Sequence, residues 1–266
     1  MTTTNLRSVH LEELTWMEID DALTGGVRTA LIPAGSVEQH GPHLGLLKDA
    51  AWAEAVGGEL AEELGNALVA PVIRPGCSEH HMGFSGTISY RPETLMAVLE
   101  DYCNSLAAHG FDELVIFSLH GGNFPAMNAV LPSLAKELGD DVDLISLLDK
   151  DLLIGSLMDS LDELDVPPEG RGHGGAAVTA SVWHLRPDLV LPEELTPGYQ
   201  GGISGSALMA DGLEAYSDLG HMGDPTLATE ARGEVITKQL VSDFAERVRE
   251  ARAVSGNNTA ERGDAE

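Results

Sequence analysis

Two kinds of hydrophobic pattern alternate along the first 150 residues. Residues 27–35, VRTALIPAG, form an apolar run bounded by glycine, and 49–65, DAAWAEAVGGELAEELG, repeat apolar positions at helical spacing. The alternation continues with strand-like 67–76, helix-like 91–110, strand-like 112–119, helix-like 123–139 and strand-like 141–149. Pro92 stands near the start of the second helical stretch and Gly110 at its stop, while Asn123 is placed to cap the third. Strands separated by helices imply parallel βαβ units. The expected fold is therefore a three-layer α/β/α sandwich with a mostly parallel sheet.

Beyond residue 150 the pattern is less regular. Residues 150–170 read as an amphipathic helix ending in a turn and placed to cover a site. Residues 172–189 enter a helix from glycines and leave it before Pro187. The glycine-rich 196–212 reads as a flexible loop, because it lacks the lysine of a phosphate-binding loop. A helix from about Pro225 to Arg252 closes the fold. With no internal repeat and no linker, residues 1–253 are expected to be one domain, and 254–266 a disordered acidic tail.

Composition narrows the function. The 266 residues are 43% hydrophobic, enough for a large core, with no apolar run long enough to span a bilayer. The N-terminal residues lack a signal-peptide pattern, so a cytoplasmic protein is expected. Cys77 and Cys103 are too few for a disulfide framework, and Cys103 sits in an apolar helical pattern as a core residue. Charge is the extreme feature: 43 acidic against 15 basic residues give a formal net charge of −28. Nucleic acid and anionic membranes are excluded as partners of such a surface. The acidic residues are spread over the whole length, which suits a salt-rich medium that screens self-repulsion.

The candidate chemistry lies in loops at strand ends. AGSVEQHGPHLGLLKDAAW, residues 34–52, gathers Glu38, His40, His43 and Asp49 between a strand and a helix. Glu38 and His40, two apart in an extended segment, point to the same side. Strand 112–119 delivers His120, followed by GGN, and strand 67–76 leads to Glu79, His80 and His81. Seven of the ten histidines (His40, His43, His80, His81, His120, His173 and His221) lie in such loops. In open α/β sheets ligands bind at the carboxyl ends of strands. Imidazole with carboxylate suits Zn²⁺, Mn²⁺ or Fe²⁺, and the lack of a neighbouring cysteine argues against a closed structural zinc site. Glu38, His40, Asp49 and His120 are the expected metal ligands.

The stretch AGSVEQHGPHLGLLKDA closely resembles the creatininase-family signature GSxEQHGPHLPLxTD. The resemblance continues, in the family's order, through SEHHMGFSGTIS, HGGN, GHGG, RPDLV and GDPTLAT. It implies a metal-dependent amidohydrolase with a three-layer α/β fold, commonly a hexamer, and a two-metal site. By motif position Glu38, Asp49 and His120 resemble ligands of one metal, and His40 a ligand of a second, with Asp49 bridging. A bridging carboxylate can hold two divalent ions about 3.5–4 Å apart, with a water activated between them. His173 resembles a catalytic histidine placed to protonate the leaving nitrogen, and His80 and His81 are expected to line the substrate pocket. Family members act on creatinine, on a formamidopyrimidine intermediate of flavin and deazaflavin biosynthesis, and on a small redox-peptide precursor. A non-peptide C–N amide bond in a small molecule, such as a formamide or lactam, is the expected target.

The chain also departs from the family pattern. Gly122 stands where creatininase proper has a glutamate, and Ala176 and Val178 stand where many relatives carry acids in an HAGExET-like segment. Lys48 directly precedes Asp49. Three alternatives stay open: a second ion held by Glu169 or His173, an enzyme working with one ion, or a non-catalytic metal-binding module.

Overall fold

Each helical and extended pattern of the first 150 residues becomes an element, trimmed at the ends. The computed structural model describes residues 6–263, with side chains described to residue 255. Four strands, β1 (Thr29–Ala34), β2 (Ala67–Val69), β3 (Glu113–Ser118) and β4 (Asp143–Ser146), form one parallel sheet in the order β2-β1-β3-β4. Register is set by Thr29 opposite both Ala67 and Glu113, and by Glu113 opposite Asp143. Among the described residues eight α-helices accompany them: α1 (Trp16–Thr24), α2 (Lys48–Leu64), α3 (Pro92–Ala108), α4 (Phe124–Leu138), α5 (Lys150–Glu163), α6 (Ala176–Leu185), α7 (Gly205–Asp211) and α8 (Glu230–Gly263). Helices α3 and α4 pack together, while α2, α5 and α6 pack on α8, giving helical layers about the sheet as expected. Among the described residues no helix is long and apolar enough to cross a membrane.

All residues of β1, β2 and β3 are buried, which explains their continuous apolar runs. Phe117 of β3 meets Phe244 of α8 edge-on, ring centroids 5.8 Å apart, and both are fully buried. Burial of such a ring contributes roughly 1.5–3 kcal/mol. At the amino ends of the strands Arg252 of α8 donates to Glu113 Oε1 (2.6 Å) and to Thr29 Oγ1 (3.0 Å), pinning the last helix to the sheet. Cys103 is buried in α3 and both cysteines are free thiols; burial pushes the Cys103 thiol up to about 12.

Four differences from the sequence reading have local causes. Strand β2 ends at Val69, because Pro71 and Pro75 have no amide hydrogen for a ladder. Ile73 still donates to the Pro33 carbonyl (2.9 Å) and accepts from Gly35 (3.1 Å), so the chain keeps company with β1 beyond the strand. Helix α1, which the sequence reading did not include, is started by a reciprocal cap between Thr15 and Glu18. The expected flexible loop 196–212 contains α7, capped by Ser204 accepting from Ala207 (3.2 Å) and packed on residues 79–81. Finally, α8 begins at Glu230 after a single 3₁₀ turn at Pro225–Leu227. The tail expected to be disordered falls mostly beyond the described side chains, with residues 264–266 outside the described residues altogether.

Candidate metal centre

The order β2-β1-β3-β4 places a topological switch between β1 and β3, and the histidine-rich loops leave the sheet there. At the tip of β1, Gly35 abuts the start of α2: a Cβ on Gly35 would lie 2.6 Å from the Ala50 nitrogen. Only glycine allows that approach, which sets Asp49 beside the loop carrying Ser36, Glu38 and His40. Ser36 Oγ donates to Asp49 Oδ2 at 2.6 Å. Asn123 fixes the neighbouring tip. It is not the side-chain cap expected for α4; its Oδ1 accepts from Cys77 (2.9 Å) and its Nδ2 donates to the Gly35 carbonyl (2.9 Å) and Ser118 Oγ (3.2 Å).

Three of the expected ligands converge. His120 Nδ1 lies 3.2 Å from Glu38 Oε1 and 3.5 Å from Asp49 Oδ2. His40 Nε2 lies 3.5 Å from the same Glu38 oxygen and 3.7 Å from the same Asp49 oxygen. Donor atoms of Glu38, Asp49 and His120 fall within 4.8 Å of one another, as do those of Glu38, His40 and His173. His120 Nε2–H donates to the Cys77 carbonyl at 2.9 Å, which leaves Nδ1 to face the carboxylates. An imidazole oriented by a backbone carbonyl in this way is the usual setting of a metal ligand. Glu38 Oε2 is buried without a hydrogen-bond partner.

Electrostatics agree with this donor set. Burial raises the Glu38 carboxyl, opposed by His120. Burial disfavours charge on His120 too, yet Glu38 and Asp49 override it and push the imidazole up to about 10. Burial also works against Asp49, but Lys48 and the histidines hold it well below the usual carboxylate range. Burial drives His40, His81 and His173 down, and His80 to about 4, so these rings are neutral donors. Two buried carboxylates converging beside imidazoles form a donor set that suits a cation. The residues fit one divalent ion.

These groups floor a cavity of about 490 Å³. His80 and His81 line it, with His81 Nδ1 3.0 Å from Gln39 Nε2. His173 stacks between His40 (4.0 Å) and His81 (4.4 Å), its Nε2–H donating to the Gln39 carbonyl at 2.9 Å. The opposite wall is apolar: Leu153, Ile154 and Leu157 of α5 with Leu208 and Met209 of α7. Helix α5 thus covers the site as its amphipathic pattern suggested. His43 and His221 stand behind the cavity: His43 Nε2–H donates to the Gly174 carbonyl (3.0 Å), and the two rings meet edge-on at 5.1 Å. Glu79 and Glu169 are exposed and do not line the cavity, so Glu169 is no candidate for a second ion. Gln39, Ser36 and Asn123 escape a reading of the sequence for metal donors, because they act through neighbours.

Comparison with known proteins follows the same lines. The family model described as "Creatininase: Creatinine amidohydrolase" matches residues 12–248. A mycofactocin precursor peptide peptidase of Mycolicibacterium smegmatis is 35% identical over 230 residues, covering 84% of this chain and 85% of the relative. Among solved structures, "Creatininase Mn" is similar at TM-score 0.79 and a mutant creatininase of "Zn-Zn type" at 0.77; both are 26% identical and cover 92% of this chain and 98% of theirs.

Proposed function

The chain belongs to the creatininase family, and from that premise we propose that it hydrolyses an amide C–N bond of a small substrate with a metal held by Glu38, Asp49 and His120. The observation that carries this reading is the convergence of two buried carboxylates and a carbonyl-oriented imidazole on the floor of the cavity. A zinc or manganese ion bound there supplies Lewis-acid activation of water and of the scissile carbonyl.

The chain's own residues do the rest. Ser36 and the Cys77 carbonyl hold Asp49 and His120 in place. His40 completes the polar floor. His173 starts as a neutral ring with Nε2–H committed to Gln39, which leaves Nδ1 as its basic atom. The proton it gives the leaving nitrogen is therefore one that Nδ1 first takes from the attacking water. The apolar wall suits a substrate with a hydrophobic group on one side of the bond. The formamide or lactam expected from sequence fits, and the relative named a precursor peptide peptidase adds a peptide to the candidates.

Millimolar-range chelator is expected to abolish hydrolysis and Zn²⁺ or Mn²⁺ to restore it, in a screen of formamides, lactams and short apolar peptides. Asp49→Ala is expected to lower kcat/KM by on the order of 10³-fold or more. Hydrolysis that persists unchanged after metal removal ends the mechanism. A second reading, a non-catalytic metal-binding module, draws on Ala176 and Val178 standing where relatives carry acids. A bound ion with no turnover of any screened amide would favour it.

A further inference from the structure

Lys48 is the feature of the site that the hydrolase reading leaves unused. It is the first residue of α2, where the helix dipole disfavours a positive charge, yet it is only 2% exposed. Lysine is almost never buried to that degree unless paired. Its ammonium lies on Asp49 Oδ1 and 4.9 Å from the centre of the Trp52 ring, and the residue lines the cavity.

The two oxygens of Asp49 are thereby divided. Oδ2 faces Ser36, His120 and His40, toward the Glu38 cluster, while Oδ1 is held by Lys48. A carboxylate that bridges two ions gives one oxygen to each. Here the second oxygen already has its cation.

Among the described residues no further carboxylate lines the cavity to hold another ion. Gly122 tolerates no side chain, since a Cβ there would collide with the Cys77 carbonyl oxygen and with His120 Nε2. Ala176 and Val178 carry none, and Glu169 is exposed outside the cavity. The remaining donor group, Glu38 with His40 and His173, shares its only carboxylate with the first ion. Two dications beside Lys48 would set five positive charges against two buried carboxylates. One dication with Lys48 sets three against two, a far smaller imbalance to bury.

We propose that the Lys48 ammonium takes the place of a second metal ion, so that the centre holds one divalent cation and draws its second positive charge from the chain. This rests on the metal-dependent hydrolase reading and assigns Lys48 within it. The ammonium neutralises Asp49 Oδ1 and presents a charged donor at the cavity wall, suited to a substrate carbonyl oxygen.

The test is metal stoichiometry, which is independent of turnover. Wild-type protein saturated with Zn²⁺ or Mn²⁺ and then desalted is expected to retain one ion per chain by elemental analysis. Mn²⁺-soaked crystals are expected to show one anomalous peak, among Glu38, Asp49 and His120, with Lys48 Nζ still on Asp49. Lys48→Ala, which frees Asp49 Oδ1, is expected to raise the count from one to two. Two ions in the wild type, or a second peak displacing Nζ, would overturn the proposal whether or not the variant folds. A folded Lys48→Ala protein that stays at one ion would overturn it as well. Retention of no ion at all would instead strike the hydrolase reading on which the proposal stands.

Discussion

Asn123 shows how much one side chain can decide at the strand tips. It joins the loop at Cys77, the end of β1 at Gly35 and the end of β3 at Ser118, adding side-chain ties where the backbone pairing of β1 with β3 ends. Asn123→Ala leaves the part-buried Cys77 amide and the buried Gly35 carbonyl without this partner, and should lower unfolding free energy by about 2–4 kcal/mol. Urea denaturation measures this, and metal affinity is expected to fall with it, because His120 donates to the carbonyl of Cys77, the residue whose amide Asn123 holds. In the sequence this asparagine looked like a helix cap. Its true role depends on partners 46 and 88 positions away, which no local pattern encodes. The candidate ligands were easier to read: carboxylate and imidazole gathered at strand ends are the donors a divalent metal takes. Lys48 was visible as a departure, but its burial against Asp49 was not.

Among the elements, α1 is a short amphipathic helix that the reading of the sequence left out, and its start is set by a capping box. Glu18 accepts from Arg7 Nε (2.8 Å) and from the Thr15 amide (2.7 Å), and these bonds, Arg7 first, hold its carboxyl down to about 2. A carboxyl depressed in the folded state contributes stability that is present above its unfolded pKa and lost as pH falls toward the folded value. Glu18→Gln should therefore lower the Tm at neutral pH, with the gap to wild type closing as pH drops from about 4.5 toward 2. A gap independent of pH would remove the charged cap from the account. The Thr-x-x-Glu spacing was present in the sequence and would have located this helix. For α7 the signal was weaker: a glycine-rich stretch became helical where it packs over residues 79–81 and walls the cavity.

At the scale of the molecule, charge dominates. Fifteen basic residues are set against 43 acidic ones, and the surface ion pairs, such as Arg249 with Glu63 and Lys238 with Glu234, offset little of that repulsion. Salt shortens the Debye length from about 8 Å at 0.15 M to about 3 Å at 1 M, which removes most repulsion between exposed carboxylates. The Tm is expected to rise by several degrees between roughly these two concentrations of KCl, read by differential scanning calorimetry. A flat or falling Tm would show that the acidic surface is not an adaptation to salt.

The sequence by itself determined the alternation of strands and helices, the parallel sheet this implies, and the set of loops that carry imidazole and carboxylate. These follow from local hydrophobic period and from residue chemistry, both written in consecutive positions. Tertiary structure alone decided which loops meet. It grouped Glu38, Asp49 and His120, set His43 and His221 behind the cavity, left Glu169 in solvent and laid Lys48 on Asp49. Those outcomes depend on the approach of β1 to α2 at Gly35 and on the order of strands in the sheet, which are long-range facts of packing.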